Sequence, residues 1–275
     1  MARRRLIRDL VTRGRNVGYG PHRSQSADLR MPRGDGPYPV MVAIHGGSWS
    51  SRYGKVVMRG LAGDLVLRGW AVWNIEYRRL GRDGGWPMTF QDVAAAINHL
   101  PFVPAPLDLE RVSLLGHSAG GHLALWAASR ARLEPDAPGA PVKDHGVRIR
   151  QVIAQAGVCD LSRAGSRGGR TATDPVGGAA AKLMGGAPEQ VPERYDVGDP
   201  LRLVPAAMPV LLVHGTLDET VPVVHSRSYA DAARAAGGEV EFVEIAGEAG
   251  RHRAHIDPRG EAWRAVTDRL PDARQ

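Results

Sequence analysis

Cysteine is almost absent from this chain: 275 residues include one, Cys159. No internal disulfide can form, which excludes a small cross-linked secreted scaffold and suits a reducing compartment. Lysine is nearly as scarce, since Lys55, Lys143 and Lys182 are the only three among 36 basic residues. Aromatic residues make up 5% of the chain, and no stretch approaches the ~18 uncharged apolar residues of a membrane span. The chain begins Met1-Ala2-Arg3-Arg4-Arg5-Leu6-Ile7-Arg8-Asp9, where charges interrupt the apolar run before a signal h-region can develop. These absences together give a cytoplasmic protein with no membrane partner as the expectation. There is no internal repeat.

What is present is ordinary for a folded globular chain: 43% hydrophobic and 24% charged residues. The net charge of +7 comes from arginines spread along the sequence. A nucleic-acid binder would cluster them with aromatics on one surface, so nucleic acid is not an expected partner. The length suits one α/β domain over 1–275, with 1–18 as an N-terminal extension.

Short apolar runs alternate with helical patterns. Strands are expected at 40–44, 70–77, 111–115, 152–156, 209–214 and 240–245, and helices at 56–67, 89–100, 120–130, 225–236 and 261–270. Strands that alternate with helices over the whole chain imply a mostly parallel sheet covered on both faces. The stretch 162–205 breaks this rhythm. It is rich in Gly, Pro and Arg with little periodicity, and reads as a cap or lid inserted above the sheet at about 160–205. Residues 132–148 form a second polar connection.

Gly116-His117-Ser118-Ala119-Gly120 is Gly-x-Ser-x-Gly. The pattern alone is weak, but here it follows an expected strand and opens an alanine-rich helix. A strand–turn–helix elbow of this kind holds a serine in a strained conformation with its hydroxyl presented, and its glycines leave room for the neighbouring backbone. Ser118 is therefore the candidate nucleophile. A serine hydroxyl needs a base, and the base needs an orienting partner. In this arrangement the acid and then the histidine follow the serine in the chain. Asp218, in the turn His214-Gly215-Thr216-Leu217-Asp218 after the 209–214 strand, is the candidate acid, with Glu219 its nearest rival. The base lies beyond the last strand, where His252 and His255 both qualify and position alone does not separate them.

His45-Gly46-Gly47-Ser48-Trp49 leaves the 40–44 strand, where donors to a developing oxyanion belong. The expected donors are the main-chain N–H groups of Gly47, Ser48 and Ala119. His45 reads as a brace for the loop rather than as a base. Trp49 and His117 are candidates for the substrate pocket. So are Trp86 and Met88, for which packing into the core is the alternative fate.

The two motifs, with Trp73-Asn74-Ile75-Glu76-Tyr77-Arg78 and His214-Gly215-Thr216-Leu217-Asp218, resemble the α/β-hydrolase superfamily. More narrowly they resemble its kynurenine formamidase-like and hormone-sensitive-lipase-like esterases, with the likeness running from about 19 to 270. The resemblance implies an α/β-hydrolase fold, a nucleophile at Ser118 and an acid at Asp218. The family histidine stands in an H-F-x-x-I-D-P stretch; Ile256-Asp257-Pro258 is present, and counting back selects His252 over His255. Arg253 replaces the family's aromatic residue, Arg251 precedes the histidine, and the loop from Gly247 is about two residues longer. Either arginine is a candidate for binding a substrate carboxylate, against the plainer reading that both face solvent.

The expected activity is hydrolysis of a small carboxylic ester through an acyl-enzyme, with no metal and no organic cofactor. Two alternatives stand beside it: an arylformamidase acting on an N-formyl aryl amide, and a catalytically inactive ligand-binding homologue. A homodimer is an expectation from the fold class alone.

Overall fold

A computed structural model describes residues 14–142, 146–165 and 176–273. Its centre is an eight-stranded sheet of β1 (Arg15–Gly18), β2 (Ser26–Arg30), β3 (Tyr38–Ile44), β4 (Ala71–Ile75), β5 (Leu107–His117), β6 (Ile149–Gln155), β7 (Val210–Gly215) and β8 (Val240–Ile245). The order is β1-β2-β4-β3-β5-β6-β7-β8. From β4 and β3 through to β8 every pairing is parallel, whereas β2 is antiparallel to both of its neighbours.

The middle strands are apolar on both faces because helices cover both. Along β3, Val40, Val42 and Ile44 face a layer with Trp73, Leu114, Leu123, Trp126 and Leu212. The alternate residues Met41 and Ala43 join Leu61, Leu65, Val72, Leu115, Ile153, Val213 and Trp263 on the other side. This is the two-residue period of a strand sorting one segment into two cores.

Five helices match the expected ones to within a few residues: α1 (Arg59–Leu67), α2 (Met88–Asn98), α3 (Ala119–Ala128), α7 (Val224–Ala235) and α8 (Glu261–Thr267). All ten residues of α3 are buried, which is why its sequence is small and apolar all round. The inserted segment is less irregular than its composition implies. It carries α4 (Leu161–Gly165), α5 (Gly177–Met184) and α6 (Pro192–Gly198), while 166–175 of the expected lid lie outside the described residues.

The sequence patterns begin the sheet at 40, and the structure begins it at Arg15. The exposed β1 covers β2, whose polar residues Asp28 and Arg30 are buried with partners. Asp28 meets the Lys55 ammonium at 2.8 Å, and Arg30 donates to the Arg59 carbonyl at 3.1 Å. No helix among the described residues is long and apolar enough to cross a membrane.

Candidate active site

The parallel strands all point their carboxyl ends to one edge, and the motif residues gather there. Ser118 joins β5 to α3 with φ 57 and ψ −122, a left-handed conformation that a side-chain-bearing residue rarely adopts. Its N–H donates to the Gln155 carbonyl at 2.9 Å. The flanking glycines are obligatory. A Cβ at Gly116 would lie 2.0 Å from the Gly120 carbonyl oxygen, and one at Gly120 would lie 2.0 Å from that of Ile44. The elbow is pressed against β3 too closely for any side chain.

Asp218 is buried in the turn after β7. Its Oδ1 accepts the N–H groups of Thr220 at 2.9 Å and Val221 at 2.8 Å. Its Oδ2 lies 2.7 Å from His252 Nδ1 and 3.4 Å from His214 Nε2. Burial alone would raise the Asp218 carboxyl. The hydrogen bonds from His214 and His252, the His252 charge and the Val221 N–H outweigh it and hold the group well below the ordinary carboxylate value. His214 is itself fixed, since its Nε2–H faces the Val221 carbonyl at 2.8 Å and the Ser226 hydroxyl meets Nδ1 at 2.7 Å.

The two candidate histidines have different surroundings. His252 opens a 3-10 turn, His252–Ile256, and keeps its side chain 14% exposed. His255 is fully buried behind it, its ring 6.3 Å from His214 and 6.4 Å from His117. Burial first, then the neighbouring His214, pushes the His255 imidazole down to about 3. Glu219 is exposed and lies 3.9 Å from Arg251.

His117, next to the serine, is buried rather than open to a pocket. It donates from Nε2 to the His252 carbonyl at 3.0 Å, and its ring lies 4.7 Å from that of His252. The elbow therefore holds the histidine loop directly. On the other side a Cβ at Gly46 would fall 2.9 Å from Ser118 Cβ, so the 45–49 loop rests on the same elbow. Gly47 (φ 114), Ser48 (φ 50) and Trp49 (φ 52) are three successive left-handed residues, two of them without glycine's freedom.

His45 braces this loop. Its Nε2 meets Glu76 Oε1 at 2.8 Å, its Nδ1 meets the Gly46 carbonyl at 2.7 Å, and its ring stacks on Tyr77 at 4.4 Å. Trp49 is fully buried and packs edge-on against His122 at 5.4 Å. Trp86 packs edge-on against Phe90 at 5.1 Å, and Met88 Sδ receives an Arg78 N–H at 3.1 Å.

The sequence profile of the BD-FAE family matches residues 27–232 of the 275. The chain belongs to the BD-FAE family. Esterase LipC of Mycobacterium tuberculosis is 26% identical over 241 residues, covering 85% of this chain and 58% of LipC. The probable carboxylic ester hydrolase LipM of the same organism is 28% identical over 242 residues, covering 84% of this chain and 53% of LipM. The chain thus spans a little over half the length of these curated relatives. A truncated carbohydrate esterase from gut microbiota superposes with a TM-score of 0.77 at 23% identity, covering 94% of each chain. That likeness concerns the architecture, the α/β-hydrolase fold that the strand order and elbow also describe.

In this BD-FAE member the two arginines beside His252 differ. Arg251 is held by Glu248 at 2.5 Å, whereas Arg253 is exposed with no hydrogen bond or ion pair among the described residues. Two residues of the site went unassigned in the sequence, His214 and Glu76. Both lie in segments that carry the family resemblance, at or just past the carboxyl end of a parallel strand, and that position is the signal that could have marked them. At the foot of the insertion, buried Asp199 accepts from the N–H groups of Leu161 (3.0 Å), Ser162 (2.8 Å) and Leu201 (3.1 Å) and from the Ser162 hydroxyl at 2.5 Å. Among the described residues no group of three or more His, Cys, Asp or Glu is arranged to hold a metal ion.

Proposed function

We propose that this chain is a carboxylic ester hydrolase that works through an acyl-enzyme on Ser118. The observation that carries the reading is the 2.7 Å contact of His252 Nδ1 with Asp218, on a loop whose His252 carbonyl accepts from His117, the residue beside the strained serine. Because Nδ1–H donates to a carboxylate, the neutral ring keeps its lone pair on Nε2, the tautomer a general base requires. His252 takes the Ser118 proton as the hydroxyl oxygen attacks the ester carbonyl. The negative charge that develops on the carbonyl oxygen meets the N–H groups of Gly47, Ser48 and Ala119, each such donor being worth about 3 kcal/mol in comparable enzymes. The imidazolium, stabilised by Asp218, then protonates the leaving alkoxide. Water, activated by the same histidine, releases the acid and restores the serine.

The names of LipC and LipM support an ester as the substrate class. The discriminating assay sets short- and long-chain aryl esters beside formyl-kynurenine and a peptide, with Ser118→Ala as the control and fluorophosphonate labelling as the readout of an active serine. Ester turnover and Ser118 labelling are expected, with a loss on the order of 10⁶ in Ser118→Ala. Preference for formyl-kynurenine would make the chain an arylformamidase. An unlabelled Ser118 in folded protein would make it a binding module.

A further inference from the structure

The brace behind the oxyanion loop has an arrangement that a purely structural support would not require. His45 is fully buried, and each of its ring nitrogens faces an oxygen that only accepts while Glu76 is ionised: Glu76 Oε1 at 2.8 Å and the Gly46 carbonyl at 2.7 Å. A neutral imidazole has one N–H, so one of these contacts would set two lone pairs against each other at hydrogen-bond distance. With Glu76 ionised, which its lowered carboxyl favours, both contacts are satisfied only when each nitrogen carries a hydrogen, and the pair is imidazolium and carboxylate.

The surroundings favour that charge distribution. Glu76 also receives the N–H of Lys55 at 3.2 Å and the N–H of Tyr77 at 3.1 Å, and forms an ion pair with Arg79, whose Nε lies 3.2 Å away. Burial would raise its carboxyl, but the hydrogen bond and charge of His45, with Arg79, bring it below the ordinary value. The Tyr77 face stacked on His45 accommodates a cation, and the Tyr77 hydroxyl donates to the His45 carbonyl at 2.8 Å. Arg79 in turn donates to the Tyr53 carbonyl, so one carboxylate holds both ends of the 45–55 loop.

The acceptor of His45 Nδ1–H is the carbonyl of the peptide unit whose other end is the Gly47 N–H. Hydrogen bonding to one end of an amide strengthens donation from the other, by roughly 10–30% per bond. We propose that Glu76 and His45 act as a charged relay that polarises the Gly46–Gly47 peptide and sets the strength of the Gly47 N–H toward the oxyanion. This rests on reading the 45–49 loop as the oxyanion loop. Both are positioning residues, since neither touches the reacting atoms.

The experiment pairs nitrogen NMR with kinetics on the full chain. In ¹⁵N-histidine-labelled wild type at neutral pH, both ring nitrogens of His45 should show protonated shifts, and Glu76→Gln should leave only one protonated. On an aryl ester, Glu76→Gln should lower kcat about 2- to 5-fold with KM unchanged, far less than the 10²–10³ that deleting a whole donor costs. Affinity for a trifluoromethyl ketone, which forms an oxyanion, should fall in step with kcat/KM, while binding of the product carboxylate stays put. A wild-type His45 with one bare nitrogen overturns the proposal, and that measurement needs no variant to fold. So does a Glu76→Gln enzyme that keeps wild-type kcat or changes KM alone. Failure of the wild type to turn over any ester overturns the site reading beneath the proposal, and is told apart from these results because the His45 signals are read without substrate.

Discussion

Lowering the pH from 7 to 5 should destabilise this protein markedly, and the cause is buried neutral histidine. Burial pushes His122 down to about 4, its hydrogen bond to the Gly198 carbonyl opposing this only in part. His255 is pushed down to about 3 by burial and then by the neighbouring His214. His117 moves well below its ordinary value by burial and by the nearby His252 and His255. In the unfolded chain each imidazole titrates near ~6.5. Between that value and the folded one the unfolded state binds more protons, so the stability these groups confer is complete above ~6.5 and falls as the pH drops toward their folded values. At pH 5 each of His122 and His255 has lost about 2 kcal/mol, or about 4 kcal/mol together, out of a typical total of ~5–15 kcal/mol. His117 adds in the same direction. The carboxylates held low, Asp218 and Glu76, oppose nothing in this window because their stabilisation is lost only in stronger acid. Urea unfolding followed by tryptophan fluorescence at pH 6.5, 6.0, 5.5 and 5.0 measures the slope. Two histidines give about 2.7 kcal/mol per pH unit and three about 4. A folding free energy that stays flat between pH 6.5 and 5 would refute the reasoning.

Three further outcomes are expected. Asp218→Asn should lower kcat about 10⁴-fold, the loss seen when a triad acid no longer fixes the tautomer, with little change in KM; a loss under tenfold would remove Asp218 from the mechanism. Gly120→Ala should cost at least about 3 kcal/mol in chemical denaturation, or fail to fold, because the new methyl meets the Ile44 carbonyl oxygen at 2.0 Å; a variant as stable as wild type would mean the elbow is looser than described. Replacing Arg251 and Arg253 together by alanine should raise KM for esters of dicarboxylic acids and leave neutral esters unchanged, with Arg253→Ala accounting for most of it because Glu248 already neutralises Arg251; an equal effect on neutral esters would reject a carboxylate-binding role.

The sequence is most legible where local chemistry and long-range packing demand the same residues. β3, α3 and the elbow are read correctly from pattern because burial on both faces leaves only apolar or very small residues acceptable there. β1 escapes because none of its four residues is buried, and β2 because Asp28 and Arg30 fill two of its buried positions, with partners Lys55 and Arg59 far away in the chain. The insertion hides α5 behind glycine and alanine, which carry no hydrophobic period, and its burial against the core decides the helix instead. For the histidines the obstacle is geometric. In a 3-10 turn residues three apart lie on the same side, so His252 and His255 project in one direction a turn apart. Only depth distinguishes them, and depth is a property of the folded chain. Glu76 and His214 fall within segments that carry the family resemblance, yet Glu76 reaches His45 only through the pairing of β3 with β4, and His214 reaches Asp218 only through the way the turn after β7 folds back.

The Asp199 carboxylate clasps the start of the insertion at Leu161 and Ser162 to its end at Leu201. The clasp fixes those two anchor points, while the segment between them also bonds inward: the Gly198 carbonyl accepts from His122 and the Val197 carbonyl from Trp126, each at 2.9 Å. Exchange of length and composition is thereby confined to the residues between the anchors that make no such inward bond.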